Sequence, residues 1–452
     1  MPKTNSAPPR LFGTDGVRGA AGRPPLDRVT IRRIGVALVR ALPATGRPVQ
    51  LVVGRDTRES GTWIEAELAC GAASQGATVV SLGVVPTPAV AFLARDQGFS
   101  AGVVISASHN PFEDNGIKVF SGRGEKFTEA VERTIETMVA DPNWHTPDGE
   151  AATLAPSDLV SAYLEHLRAV LHDAPRSPGM PIALDCANGA TSAVAPRLFR
   201  ELGYDVRAIA DTPNGRNINL RCGSTHPEAL AQLVVEAGCQ LGVAFDGDGD
   251  RAIFVDHLGR VVNGDAVLLL CARQLQREGR LNGDAIVATV MSNIGLEIAL
   301  RQTGIDIVRC AVGDKFVMEE MLARGLSLGG EQSGHVIFSD YLFTGDGLCT
   351  ALNVLRTVAL TGRTLADLAA DLISYPQVLL NVRVRTKPDL PTVPAVSTAI
   401  SRVEEYVAGQ GRVLVRYSGT EPLLRVMIEG QDENQIKAWA QQIVDVVKQE
   451  LG

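Results

Sequence analysis

Residues 101–111 read Ala101-Gly102-Val103-Val104-Ile105-Ser106-Ala107-Ser108-His109-Asn110-Pro111. The first five form a short apolar, β-branched run, which predicts a buried strand. The polar cluster then begins abruptly, and Asn110-Pro111 breaks any continuation. Ser108 is therefore expected on a tight loop at the carboxyl end of a strand, where open α/β sheets place their chemistry. A serine there is a nucleophile, a phosphoryl carrier or an ordinary turn residue, and this loop alone does not choose among them.

Outward from this strand, apolar runs alternate with amphipathic helical stretches. Strands are expected at 49–53, 78–82, 182–185, 285–290 and 305–309. Helices are expected at 63–74, 89–95, about 127–139 and 157–171, the last with Ser157 or Asp158 as its cap. Such alternation implies βαβ units and an α/β class. After Tyr375-Pro376 the pattern changes: 378–385, 412–417 and 423–429 read as strands and 435–451 as a closing helix, while 387–394 carries three prolines and reads as a loop. The expectation is an α/β chain of three similar domains with mixed sheets (1–154, 155–256 and 257–372) and a smaller C-terminal α+β domain (373–452), arranged around a central cleft.

Three times an apolar strand empties into a polar, Gly-containing loop: 103–105 into 106–110, 241–245 into 246–251, and 326–328 into 329–335. Each α/β domain is expected to present one such loop to the cleft. The second reads Asp246-Gly247-Asp248-Gly249-Asp250-Arg251. Carboxylates at alternate positions, with glycines that let the backbone turn tightly, can converge on one hard cation, and an all-oxygen set favours Mg²⁺ over Zn²⁺. The loop is not an EF-hand, because Arg251 and His257 stand where Gly and Glu are needed. Nor is it a dinucleotide fingerprint, because a strand follows it and its carboxylates would face a pyrophosphate. A solvated acidic turn is the bland alternative.

The third loop, Gly329-Gly330-Glu331-Gln332-Ser333-Gly334-His335, combines carboxylate, amide, hydroxyl and imidazole, a set that suits a polyhydroxylated ligand. In the tail, Arg416-Tyr417-Ser418-Gly419-Thr420-Glu421-Pro422 follows a strand; two hydroxyls, loop N–H groups, Arg416 and Arg425 suit a phosphate. A plain polar loop and a Gly-centred turn are the respective alternatives. Phe12-Gly13-Thr14-Asp15-Gly16-Val17-Arg18-Gly19, Lys118 and Lys315 add cations that could equally be surface charges. Hydrolase readings are poor. Gly98-Phe99-Ser100-Ala101-Gly102 precedes a strand, so it is no nucleophile elbow. His109 neighbours Ser108, and adjacent side chains in an extended segment point to opposite faces. The chain has no Gly-Lys pair and hence no Walker A loop.

The chain has 452 residues and a formal net charge of −8. That charge argues against nucleic acid or an anionic membrane as partner, while leaving room for an anionic small substrate in a locally basic site. The cysteines Cys70, Cys186, Cys222, Cys239, Cys271, Cys310 and Cys349 form no Cys-x-x-Cys pair, as expected of buried thiols in a reducing, cytoplasmic setting. The N-terminus does not read as a signal peptide, and no apolar stretch approaches a membrane span.

Taken in order, the Ser-Ala-Ser-His-Asn-Pro, Asp-Gly-Asp-Gly-Asp-Arg, Gly-Glu-Gln-Ser-Gly-His and Arg-Tyr-Ser-Gly-Thr-Glu-Pro loops resemble those of the α-D-phosphohexomutase superfamily, and most closely its bacterial amino-sugar branch. The resemblance covers essentially the whole chain. It implies a heart-shaped enzyme of four domains around a deep cleft. Ser108 would carry the catalytic phosphate, with Ser108, Asp246, Asp248 and Asp250 binding one Mg²⁺. Glu331, Ser333 and His335 would contact the sugar. Arg416, Ser418, Gly419, Thr420 and Arg425 would hold the phosphate that is not being transferred. Arg18, His109, Lys118 and Arg251 would surround the transferring group, with Lys118 moving the proton. The implied reaction interconverts glucosamine 6-phosphate and glucosamine 1-phosphate through a glucosamine 1,6-bisphosphate intermediate, supplying cell-wall precursor synthesis. Mannose and glucose phosphates are the alternative substrates, and a non-catalytic phosphosugar-binding protein or a Mg²⁺-dependent phosphatase the more distant readings. A homodimer is left open, and the kinase that would prime Ser108 is not named by the sequence. One departure is Lys315, where the family often has Arg; charge is kept but a bidentate phosphate contact is not.

Overall fold

A computed structural model of the chain describes residues 10–13, 15–44, 46–141, 143–144, 148–418 and 421–452. Two compact units emerge: residues 1–291 with 305–370, and residues 292–304 with 371–452.

The first unit contains three mixed sheets. One is built from β1 (Val17–Ala20), β2 (Gln50–Arg55), β3 (Thr78–Val84), β4 (Ala101–Ile105) and β5 (Asp114–Ser121). The next comprises β6 (Pro181–Asp185), β7 (Asp205–Ile209), β8 (Leu241–Phe245), β9 (Ala252–Asp256) and β10 (Val261–Val262). The third comprises β11 (Ala285–Thr289), β12 (Asp306–Cys310), β13 (Leu328–Gly330) and β14 (Val336–Phe338). One plan recurs. The strand orders β3-β2-β4-β5, β7-β6-β8-β9 and β12-β11-β13-β14 are the same, and in each the first three strands are parallel and the last antiparallel. β1 and β10 add an antiparallel edge to the first and second sheets. The repeated unit that sequence identity could not establish is thus plain in the topology.

This plan positions the chemistry. In every sheet the polar loop joins the third strand to the antiparallel fourth: 106–113, 246–251 and 331–335. The strands that feed these loops, β4 and β8, are buried along their whole length, as their unbroken apolar runs require. The feeding strand of the third sheet is displaced from the expected 326–328 to Leu328–Gly330. The two glycines belong to the strand because the helix Asp314–Arg324 packs directly on it: a Cβ at Gly329 would lie 2.6 Å from Met321 Sδ and 2.9 Å from Val317 Cγ1.

The helix expected at 157–171 begins later, as Val160–Arg168 followed by a short 3₁₀ turn, and neither Ser157 nor Asp158 caps it. Ser157 is instead drawn to the sheet edge, its N–H donating to the Ser81 carbonyl at 2.8 Å.

The second unit is a three-stranded antiparallel sheet, β15 (Gln377–Arg383), β17 (Leu423–Glu429) and β16 (Arg412–Tyr417), in the order β15-β17-β16. It packs on the helix Glu433–Leu451, whose buried stripe Ile436, Ala440, Ile443, Val447 and Leu451 keeps helical spacing. A helix at Pro394–Val407, not expected from the sequence, follows the Pro-rich segment. Its leading Pro394 occupies the first turn, where a missing N–H costs nothing, so the prolines open a helix instead of only interrupting one. The segment Ser292–Gly304 joins this unit: Asn293 caps the helix Ile294–Arg301 and donates through Nδ2 to the Tyr375 carbonyl at 2.9 Å. Among the described residues no helix is long and apolar enough to cross a membrane.

Candidate active site

Ser108 lies on the β4–β5 loop, fully buried, with φ +54°. That left-handed backbone is unusual for a residue with a Cβ. It aims the hydroxyl at the acidic loop of the second sheet, where Oγ donates to Asp246 Oδ2 at 2.5 Å. It also overturns the geometric argument against His109. In an extended segment the two side chains would diverge, but here His109 Nδ1 stands 3.4 Å from Ser108 Oγ. Burial, then the neighbouring Arg251 and Arg18, hold the imidazole below its ordinary pKa and hence neutral.

Asp246, Asp248 and Asp250 are all buried, and one ligand oxygen from each lies within 4.8 Å of the others. Gly247 lets this loop touch the serine loop, since a Cβ there would sit 2.4 Å from the Ser108 carbonyl. Thr87 Oγ1 donates to Asp248 Oδ2 at 2.6 Å, and Lys118 Nζ donates to Asp248 Oδ2 and Asp250 Oδ2 at 2.8 and 2.9 Å. Asp248 Oδ1 and Asp250 Oδ1 are buried with no hydrogen-bond partner. Two orphaned carboxylate oxygens beside a third carboxylate fit a hard cation such as Mg²⁺. Burial, and then repulsion from Asp250 and Asp248, push the Asp246 carboxyl well above the ordinary range.

Beside Ser108 a cavity of about 410 Å³ is lined by Arg18, His109, Arg251, Asp314, Glu331 and His335, among others. Arg18, on β1, donates to the Ala107 carbonyl and Asn110 Oδ1 and pairs with Asp15. Arg251 Nη1 lies 3.3 Å from His109 Nδ1. The Nε atoms of both arginines are buried without a hydrogen-bond partner, that of Arg251 standing 3.9 Å from Asp250 Oδ1. Glu331 accepts from Gly313 N at 3.1 Å, and the exposed Ser333 donates to its other oxygen at 3.3 Å. His335 accepts from Gly345 N through Nε2 at 3.0 Å, which leaves the proton on Nδ1, 3.7 Å from Asp250 Oδ1. One cavity in a single unit thus gathers guanidiniums, Asp250 of the acidic triad and polar groups for hydroxyls next to His109, the neighbour of the strand-end serine. It can accept an anionic, hydroxyl-rich ligand beside a metal-assisted phosphoryl site.

Four family models describe the chain: phosphoglucomutase/phosphomannomutase α/β/α domain I at residues 9–145, domain II at 161–259, domain III at 263–375 and the C-terminal domain at 379–446. The chain belongs to the phosphoglucomutase/phosphomannomutase family. It is an α-D-phosphohexomutase, an isomerase by class. A phosphoglucosamine mutase of Solibacter usitatus is 51% identical over 443 residues, covering 98% of this chain and 99% of that protein. One of Geotalea daltonii is 45% identical over 447 residues, covering 98% of each. Among solved structures, a phosphoglucomutase/phosphomannomutase family protein of Burkholderia thailandensis is 25% identical with a TM-score of 0.78, covering 98% of this chain and 97% of that one. An N-acetylphosphoglucosamine mutase of Aspergillus fumigatus, 16% identical with a TM-score of 0.64 over 98% of this chain and 96% of that one, shares the fold.

Other expected residues of this phosphohexomutase lie elsewhere. Arg416, Ser418 and Arg425 are in the second unit, where Arg416 and Arg425 stand directly opposite each other across β16 and β17. Gly419 and Thr420 fall outside the described residues. Lys315 turns away to pair with Glu132 at 2.7 Å. Sequence reasoning passed over Asp15, which pairs with Lys118 at 3.1 Å and Lys126 at 2.6 Å, and over Asp314, which pairs with Lys126. It also passed over Thr87, Asp56, Arg58 and Asn219. Asp56 and Arg58 carried a usable signal, because they too follow an apolar strand, β2.

Proposed function

We propose that this phosphohexomutase interconverts glucosamine 6-phosphate and glucosamine 1-phosphate, with Ser108 as the phosphoryl carrier. The Ser108–Asp246 hydrogen bond inside the acidic triad carries the reading of the carrier. The phosphoglucosamine mutases at 45–51% identity over nearly the whole chain carry that of the sugar.

In the first half-reaction O1 of glucosamine 6-phosphate attacks phospho-Ser108. The O1–P bond forms, the Oγ–P bond breaks, and glucosamine 1,6-bisphosphate results. After the intermediate turns over, Ser108 Oγ attacks the 6-phosphoryl, O6 leaves, and glucosamine 1-phosphate is released. Phosphoryl transfer asks for alignment and charge stabilisation more than covalent help. Arg18 and Arg251, whose Nε donors make no hydrogen bond, are assigned to the transferring phosphoryl oxygens. Lys118, held protonated, gives a proton to the leaving oxygen, and neutral His109 accepts the one lost by the attacking hydroxyl. Asp246, Asp248 and Asp250, with Ser108, would hold Mg²⁺, which supplies further positive charge at the phosphoryl oxygens. Glu331, Ser333 and His335 are assigned to the sugar hydroxyls. Arg416, Ser418, Gly419, Thr420 and Arg425 are assigned to the idle phosphate, on domain 373–452; the loops on domains 1–154, 155–256 and 257–372 supply the rest. Opposed guanidiniums repel unless an anion lies between them, which supports that assignment.

Intact mass and peptide mapping should find phosphate on Ser108, and Ser108→Ala should abolish turnover. Glucosamine 6-phosphate should outpace mannose and glucose phosphates, with almost no inorganic phosphate released. Faster turnover of mannose phosphate would overturn the choice of sugar.

A further inference from the structure

The guanidinium of Arg58, just past the end of β2, is fully buried and has no donor to spare. Nε donates to Asp56 Oδ2 at 2.8 Å. Nη1 donates to the carbonyls of Pro111 and, at 3.1 Å, Asp114. Nη2 donates to the carbonyls of Ser108 at 3.0 Å and Asn110 at 2.9 Å. A guanidinium has five N–H groups and all five are used, three of them on carbonyls of the Ser108 loop. From the opposite side, Asn219 of the second sheet's domain donates through Nδ2 to the same two carbonyls, Ser108 at 2.8 Å and Asn110 at 3.0 Å. The loop is tied at its front as well: Ser106 Oγ accepts from Ser108 N at 2.9 Å and donates to Asp56 Oδ2 at 2.5 Å.

We propose that Arg58 and Asn219 act together as positioning residues for Ser108, fixing the main chain from which its Oγ gives up and regains a phosphoryl group. The proposal rests on the phosphoserine mechanism above. A left-handed serine persists only where its surroundings over-determine it, and two donors on its carbonyl do so. The serine passes between a dianionic ester and a neutral alcohol, and each attack must be in line. A loop held through its carbonyls keeps its place whatever charge Oγ bears. Arg58 touches no reacting atom, so its effect should fall on turnover and leave substrate binding alone.

The test uses full-length protein carrying Arg58→Lys, which keeps the charge but loses the fork, and Asn219→Gly, which tolerates the φ of +58° at that position. Steady-state kinetics are paired with single-turnover loss of phosphate from Ser108, read by intact mass. Arg58→Lys should lower kcat by about 100-fold and Asn219→Gly by about 10-fold, each with KM within about threefold. Because both residues grip the same carbonyls, the double variant should fall short of the product. If Arg58→Lys does not fold, Asn219→Gly decides alone. Wild-type kcat in folded Asn219→Gly, or a rise in KM with kcat kept, overturns the proposal. Should the wild type transfer phosphate only to mannose or glucose phosphate, the choice of sugar falls, and the positioning effect is read on that acceptor instead.

Discussion

The ammonium of Lys118 lies 2.8 Å from Asp248 Oδ2, fully withdrawn from solvent on the same carboxylates that suit a cation. Burial alone would drive this amine to lose its proton. The charges of Asp15, Asp248 and Asp250 reverse that and raise its pKa well above the ordinary lysine value. The lysine's proton and a divalent ion therefore draw on one set of negative charges. Lys118→Met should cost on the order of 3–5 kcal/mol of stability, because it strands buried carboxylates. It should also enlarge the rise in Tm that Mg²⁺ produces. Melting curves with and without Mg²⁺ test this, and an unchanged Mg²⁺ increment would show that the two cations do not compete.

Arg416 and Arg425 form a cross-strand pair of like charge. Such a pair is unfavourable in an empty sheet and useful against a phosphate. Arg416→Ala should raise KM by roughly 10- to 100-fold, the worth of a charged hydrogen bond, with kcat little altered. Tm should hold or rise slightly. Unchanged KM would remove this strand pair from the phosphate site.

Much of this was legible because the informative signals were local. The strand Ala101–Ile105 and its loop appear where the apolar run ends, and β16 and β17 match their expected bounds residue for residue. The Asp246–Asp250 convergence follows from alternation with glycine. What could not be read depends on contacts between distant segments. Nothing near Thr87 announces that it meets Asp248, and Asn219 is separated from the carbonyls it holds by more than a hundred residues. The approach of His109 Nδ1 to Ser108 Oγ could not be read from periodicity, which assumes ordinary dihedrals that Ser108 does not have.

Lys315 illustrates the same limit from the other side. It lies in the first turn of the helix Asp314–Arg324, just after β12 and its loop, yet its ammonium pairs with Glu132 on the helix Glu129–Ala140. Lys315→Met should therefore leave KM for the sugar phosphate within about twofold while lowering stability by on the order of 3 kcal/mol, because it strands Glu132 in a largely buried ion pair. Urea titration and steady-state kinetics on one preparation separate the two effects. A large rise in KM would place Lys315 at the substrate.

Asp346 offers a titration next to the acidic loop, since Gly347 N donates to the Gly249 carbonyl at 3.0 Å. It caps the helix Gly347–Thr361, accepting from Cys349 N at 2.9 Å and from Tyr163 Oη at 3.0 Å. Burial outweighs these bonds and pushes its carboxyl up to about 6. A folded-state pKa above the unfolded value means that the folded protein binds the extra proton between about pH 4 and 6. That contribution to stability is full below pH 4 and is lost as pH rises through 6. The gap between about 6 and the usual 3.8 corresponds to on the order of 3 kcal/mol. Asp346→Asn keeps the capping oxygen without the ionisation. Its stability relative to wild type should thus improve between pH 4 and 7 by on the order of 1–3 kcal/mol, measured by urea unfolding across that range. Parallel wild-type and variant curves would mean that Asp346 ionises in the folded protein as freely as in the unfolded chain.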